Sequence, residues 1–411
     1  MNTLGPHSKH GSTGVLAATA IALLVLMSGC GGGGGSPTGP VTPRPGTLDT
    51  SFNTGGVAIT PIGSYASIFA VAVQPDGKII TAGDGFVLVR YNADGTVDSG
   101  FGTGGKVFAS SFMTNGSVGV AEGVTLQPDG RIVAAGQSSH GGSDTFCTIV
   151  RLNTDGSPDL TFGTGGVVML RVTSLTFGHA VCSAPTVLAS GQILAAVGVQ
   201  AHAAIGEDSE TYIGVMRFDP GGARDDLFGV GGVANVRTNN PTVWASSLVV
   251  QRDGSIVVGG GSIFLGIMFP PAESLLARFD RTGVPDPGFG QGGVVRWGQN
   301  GFTGVGGVAL QPDDKIVVAL CCEQGHLLRL LPNGAPDTSF GVGGTVTGIA
   351  GAGPFGGGPG VAIQSNGKIV VGGVAGLQTR QFHPDSPCGV SDRTGCRTQA
   401  LEMKEAWSRR S

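Results

Sequence analysis

The chain has 411 residues, of which 76 are glycine and 23 proline, while only 13% are charged and the formal net charge is −4. That balance excludes coiled coils and long helical proteins, and the glycines follow no three-residue period, which excludes collagen. Hydrophobic residues at 40% supply enough to bury against wholesale disorder, and the slightly acidic charge argues against nucleic-acid binding through a basic surface.

In chain order, Lys9 and two histidines precede an apolar run at residues 15–27, VLAATAIALLVLM. A bilayer span needs about 20 apolar residues, so this shorter run fits the core of a secretory signal. It ends in Leu26-Met27-Ser28-Gly29-Cys30, followed by five glycines and the spacer SPTGPVTPRPG. The segment resembles a bacterial lipoprotein signal, which implies cleavage after residue 29 and lipidation of Cys30. Met27 departs from the usual leucine, and the alternative is an ordinary secretory signal that happens to contain a cysteine. Gly31 after the cysteine, by the same resemblance, favours the outer membrane. Residues 30–46 then form a flexible Gly/Pro tether.

From residue 47 three patterns recur in fixed order. D-x-x-F-G-x-G-G or a close variant opens at Asp49, Asp98, Asp159, Asp225, Asp286 and Asp337. An apolar run, a tight turn and a second apolar run follow, as in VAVQPDGKIITAG from Val71 and VTLQPDGRIVAAG from Val124. An alternating strand then ends in Arg90, Arg151, Arg217, Arg278, Arg329 or Arg380. The six aspartates stand 49 to 66 residues apart, a length that suits one four-stranded propeller blade. In the first copy the strands are expected at 69–74, 78–82, 87–92 and 105–109, supported by period-two alternation and Val/Ile enrichment. Asp-Gly between the first two is a hairpin signal.

Quoted as they stand, LDTSFNTGGV, LQPDGRIVAAG and VRLNTDGSPDLTFGTGGVV resemble the delta-60 repeat family of bacterial exported proteins, over about residues 47–382. The resemblance implies a β-propeller and carries no established activity. The phase of the repeats adds to it, because the chain enters with a fourth-type strand (55–60) and leaves with a third-type strand (378–382). The reading is an all-β, six-bladed propeller of four-stranded blades over 47–383, with the N-terminal strand completing the last blade and hiding two sheet edges. An open array of the same units is the alternative.

The spacing from each arginine to the next aspartate is eight residues in all five places, whereas the spacing from the hairpin turn to the arginine runs from 14 to 27. The insertions fall near 137–145, 199–212 and 262–274, in blades two to four, and meander topology puts them on one face. Variable loops on one face of a repeat protein mark its binding surface. The candidate ligand-binding residues are therefore His140, His202, Glu207, Asp208, Glu210, Phe264, Met268 and Phe269. The apolar loop IFLGIMFPP either packs down on the propeller or meets a partner.

No metalloprotease, serine-hydrolase, phosphate-loop or C-x-x-C motif is present, and neither a catalytic residue nor a metal site is assigned. The N-x-D-G-x-x-D turns have oxygen ligands at alternate positions in the manner of calcium loops, but backbone-bonded turns explain them as well. The five pairs Arg90–Asp98, Arg151–Asp159, Arg217–Asp225, Arg278–Asp286 and Arg329–Asp337 read as structural ion pairs, not as a ring of arginines around the channel, a place better suited to the Ala/Gly/Val-rich first strand. Besides Cys30 there are six cysteines, an even number that permits disulfides in an exported protein. Cys388 and Cys396, in the polar tail 384–411, are the easiest pair to bridge, while Cys321 and Cys322 read as buried small hydrophobes. Three functions stay open: a tethered binding or scaffold module with an envelope protein or glycan as partner, a propeller enzyme acting on a sugar or polymer through Glu207, Asp208 and His202, and a passive envelope protein.

Overall fold

The computed structural model describes residues 49–62, 67–113, 117–139, 145–172, 177–202, 210–238, 240, 242–263, 272–297, 304–321, 326–347 and 360–372. Twenty-two strands and one short 3-10 helix (Ala109–Phe112) make up its regular structure. Blade one holds β1 (Ile68–Val73), β2 (Ile79–Gly83), β3 (Val87–Tyr91) and β4 (Lys106–Phe108). Blade two holds β5 (Val118–Leu126), β6 (Ile132–Ser139), β7 (Thr145–Leu152) and β8 (Val167–Leu170). Blade three holds β9 (Phe177–Val187), β10 (Ile193–His202), β11 (Glu210–Phe218) and β12 (Val233–Arg237). Blade four holds β13 (Thr242–Val250), β14 (Ile256–Ile263), β15 (Ala272–Phe279) and β16 (Val294–Trp297). Blade five holds β17 (Gly304–Leu310), β18 (Ile316–Cys321), β19 (His326–Leu330) and β20 (Thr345–Thr347), and a last hairpin pairs β21 (Gly360–Ile363) with β22 (Ile369–Gly372).

Each of the five complete sheets is an antiparallel meander of four strands in sequence order. The cause lies in the turns. Gly77, Gly130, Gly191, Gly254 and Gly367 take positive φ at the first hairpin, a conformation open to glycine because it lacks Cβ. In blade five Asp314 occupies that place, at φ 61°.

Every complete blade also carries a register shift in its first strand, between Ile68 and Ala70, Ala121 and Gly123, Ala245 and Ser247, and Val305 and Gly307, with the counterpart opposite Leu194 and Ala196 in blade three. Such bulges bend and twist a strand. The first strands of successive sheets touch one another in chain order, β1 to β5 to β9 to β13 to β17 to β21, whereas the fourth strands make no comparable mutual contacts among the described residues. The first strand is therefore innermost.

The hydrophobic core lies between blades. Phe86, Leu88, Phe101 and Val107 of blade one form one buried layer with Ala121, Ile132, Ala134 and Val150 of blade two. Equivalent layers join blades two and three, three and four, and four and five. No helix among the described residues is long and apolar enough to cross a membrane. Residues 1–48 and 373–411, with Cys30, the third-type strand at 378–382 and the pair Cys388 and Cys396, lie outside the described residues.

Candidate functional site: a raised rim above clasped seams

The insertions of blades two to four are taken up first by longer strands. In blade one the second and third strands pair from Ile79 opposite Tyr91 only as far as Gly83 opposite Val87. In blade two the pairing continues to Ser139 opposite Thr145, in blade three to Ala201 opposite Glu210, and in blade four to Ile263 opposite Ala272. Stretches expected as loop at 137–139, 199–202, 210–212, 262–263 and 272–274 are thus hairpin arms, held by backbone pairing that continues without a break from the strands below. His202 ends β10 and Glu210 begins β11, so their backbones share one hairpin end. His140, Glu207, Asp208, Phe264, Met268 and Phe269 belong to the tips at 140–144, 203–209 and 264–271, outside the described residues.

Polar contacts hold the arms at their base. Ser138 and Thr148 hydroxyls share a buried hydrogen bond of 2.6 Å. The Thr145 hydroxyl accepts from the Ala180 amide at 3.0 Å across the seam to blade three. In blade four Asn240 donates to the Ser262 hydroxyl at 3.1 Å, and Arg296 pairs with Glu273 at 2.8 Å. One carboxyl near this rim stands apart: burial, and then the charge of Asp84, push the Glu122 pKa above the ordinary value.

Beneath the rim each seam repeats one arrangement. Arg90 Nε donates to Asp98 at 2.7 Å, Arg151 to Asp159 at 2.7 Å, Arg217 to Asp225 at 2.8 Å and Arg329 to Asp337 at 2.8 Å, while Arg278 reaches Asp286 through Nη2 at 2.5 Å. Each guanidinium lies over the phenylalanine three residues past its aspartate, Phe101, Phe162, Phe228, Phe289 or Phe340, at 4.5–4.8 Å from the ring centre. Nη1 then crosses to the next blade. Arg90 donates to the Thr154 carbonyl, Arg151 to Pro220, Arg217 to Arg281 and Arg278 to Pro332. The phenylalanine crosses too, since a Cβ on Gly156 would sit 2.8 Å from the Phe101 ring; the glycine there is a packing requirement as well as a turn.

The aspartates are saturated by these contacts. At Asp337 burial would raise the pKa, but the Ser339 hydroxyl and amide, Lys315 and Arg329 together bring it down to about 2. In the third-to-fourth-strand turns Asp94 Oδ1 accepts from the Thr96 amide and hydroxyl, and Asp155 does the same with Ser157. No group of three or more metal-ligating side chains gathers among the described residues.

A disulfide joins Cys147 of β7 to Cys182 of β9, across the seam between blades two and three. The pattern was present in the sequence once the repeats are superposed. Cys147 lies four residues before its arginine and Cys182 six before the first residue of its hairpin turn, Leu188. At the equivalent places Phe86 shares a core with Ala121, and Ile213 with Ala245.

The chain matches the family model described as "Domain of unknown function (DUF5122) beta-propeller", at residues 74–101, 127–162 and 323–340. The first two stretches each hold a hairpin turn, an arginine and a D-x-x-F motif, and the third holds Arg329 and the motif at Asp337. No curated protein matches the chain. Among solved structures, the propeller is similar to the extracellular domain of a one-component system from B. thetaiotaomicron, with 10% identity, TM-score 0.41, and coverage of 75% of this chain and 32% of that one. It spans about a third of that protein. A protein of unknown function from Dyadobacter fermentans gives 12% identity, TM-score 0.40, and coverage of 61% and 73%. An α-L-arabinofuranosidase from Fusarium graminearum gives 10%, 0.45, and 76% and 89%. None of these likenesses bears on what this chain binds or catalyses.

Proposed function

We propose that the chain is an extracytoplasmic lipoprotein, anchored through Cys30 with the outer membrane as its site, in which a six-bladed propeller presents the rim of blades two to four to an envelope protein or glycan. The observation that carries this reading is the set of three adjacent hairpins, extended beyond their counterpart in blade one and braced at their base by Ser138–Thr148, Thr145–Ala180 and Arg296–Glu273. Rigid arms carrying divergent tips are how a repeat scaffold builds a recognition surface. The buried disulfide supports an oxidising compartment. The ring closes, in this reading, when the N-terminal segment supplies the fourth strand of the last blade.

The test compares capture from envelope extract by the folded domain and by a version whose tips at 140–144, 203–209 and 264–271 are cut to the short turn of blade one. A partner held by the first and lost by the second supports the rim; equal capture by both overturns it. A propeller enzyme acting on a sugar or polymer through Glu207, Asp208 and His202 is the second reading. If it holds, replacing Glu207 and Asp208 abolishes glycan turnover, whereas capture through the apolar tip survives that change.

A further inference from the structure

An aliphatic side chain stands in solvent on the third-to-fourth-strand connection of every complete blade. They are Val97 in blade one, Leu160 in blade two, Leu227 and Val230 in blade three, Val284 in blade four and Val342 in blade five. Leu227, Val342 and Val230 are 91%, 89% and 83% exposed, more than any other large hydrophobic residue described. The repeat does not need them. Where Val230 and Val342 stand, other copies carry Thr103, Thr164 and Gln291; where Leu227 stands they carry Thr161 and Ser339, and where Leu160 stands, Ser99 and Thr338. The six occupy different places around the D-x-x-F motif, with only Val230 and Val342 equivalent, so no packing rule of the blade puts them there. What they share is the face. A single exposed aliphatic is ordinary, but one on the same face of each blade makes an array.

The backbone under the most exposed of them is fixed. Val342 exchanges backbone hydrogen bonds with Thr345 at 2.8 and 3.2 Å, and Val230 does so with Val233 at 3.0 and 3.3 Å. Each therefore sits at the tip of a tight turn, and a Cβ on the following Gly231 or Gly343 would meet nothing within 4 Å. The tips project clear of the blade. Charges on this face are paired, Arg224 with Asp226 at 2.6 Å and Lys315 with Asp337 at 3.3 Å.

The described chain also starts on this face. The Asp49 carbonyl accepts from the Phe52 amide, and the Asn53 amide donates to the Asp94 carbonyl in the third-to-fourth-strand turn of blade one. Asp49 follows Cys30 by 19 residues, so a lipid on Cys30 is joined to this side of the propeller. The arms of blades two to four rise from the opposite side.

We infer that this face lies on the lipid surface, with its aliphatic tips inserted at the boundary of head groups and acyl chains, and that the rim of blades two to four points away from the membrane. The inference rests on the lipid anchor of the proposed function and adds the contact surface and the orientation. A bilayer accepts one shallow insertion per blade across a broad face, whereas a protein partner concentrates its contacts in a buried centre. Because the insertion is apolar and the neighbouring charges are already paired, the contact is insensitive to salt.

The test uses the full chain, made in a bacterial host that processes lipoproteins and reconstituted into vesicles of phosphatidylethanolamine and phosphatidylglycerol with brominated acyl chains. Leu227→Trp and Val342→Trp put an emitter on the contact face. Val118→Trp puts one on the rim side, where Val118 is 66% exposed and pairs with Ser139 at the end of the blade-two arm. Emission is read as the difference from the unsubstituted chain. The expected result is a blue shift and bromine quenching at 227 and 342, unchanged by salt, and neither at 118. Vesicle-bound chain without quenching at 227 and 342 overturns the contact and leaves the anchor standing, and quenching at 118 alone reverses the orientation and overturns it too. A chain with no lipid on Cys30 by mass and no vesicle binding overturns both. Quenching at 227 and 342 without that lipid supports the face and overturns the anchor. A blue shift without bromine quenching, in a chain that light scattering finds dimeric, gives the face to a second copy and overturns the lipid contact.

Discussion

At the scale of single residues, the seam aspartates set the acid limit of the fold. Asp337 has a pKa of about 2 in the folded chain against an ordinary 3.8. Its lowered value means stability that is present above about pH 4 and lost as pH falls toward 2, worth on the order of 2 kcal/mol. Asp337→Asn is expected to flatten that part of the stability-against-pH curve in urea titrations. Removing the cation has a different effect. Arg151 and Asp159 are both nearly fully buried, at 4% and 3% exposure, and Arg151→Ala leaves the carboxylate with Arg131, at 3.2 Å, as its remaining cation, so the change is expected to cost up to about 3 kcal/mol. Glu122 acts with the opposite sign: its raised pKa favours the protonated form, so its contribution is present below about pH 4.5 and is lost as pH rises through the folded value. Glu122→Gln should raise the melting temperature at pH 7 and leave it nearly unchanged at pH 4; equal gains at both would remove ionisation as the cause.

At the scale of elements, the disulfide and one turn give sharp expectations. Cys147 and Cys182 are 35 residues apart, and closing a loop of that length contributes about 3–4 kcal/mol in the chain-entropy account. Reduction or Cys147→Ser should lower stability by roughly that amount. The pair Cys147→Ile with Cys182→Ala should recover part of the loss, since Ile213 and Ala245 already fill the same place one seam further on. In blade five, Asp314→Gly relieves a left-handed residue and should stabilise by about 1 kcal/mol, read from chemical denaturation. Most of these elements were legible in the sequence, because Asp-Gly turns and alternating Val/Ile runs are local signals. The strand ends at Ile68, Ile79 and Tyr91 lie within one residue of the expected 69, 78 and 92. The hairpin arms of blades two to four were missed, since a tip and an arm share the same polar composition until the ladder partner is known. The Cys147–Cys182 bridge was missed for a related reason: it is visible only after the repeats are aligned on their arginines and hairpin turns. Glu122 carried no sequence signal at all, as its shift comes from burial beside a first-strand bulge.

At the scale of the whole molecule, stability resides in the seams. The layers between successive blades draw on both, and the arginines of blades one to four each tie three points together: their own aspartate, their own phenylalanine and the next blade's turn. A blade released from its neighbour would expose half of its core, so unfolding is expected to spread from any open seam. The rim then owes its rigidity to what lies below it, and blades two to four, with complete neighbours on both sides, are where the chain places its divergent tips.

Native-state hydrogen exchange on the full chain measures closure most directly. A closed ring predicts that amides of β1 and β22 exchange as slowly as those of β9 and β13, through a common global opening. Protection that falls in steps from blade three toward both ends would contradict it, and would make the molecule an open array.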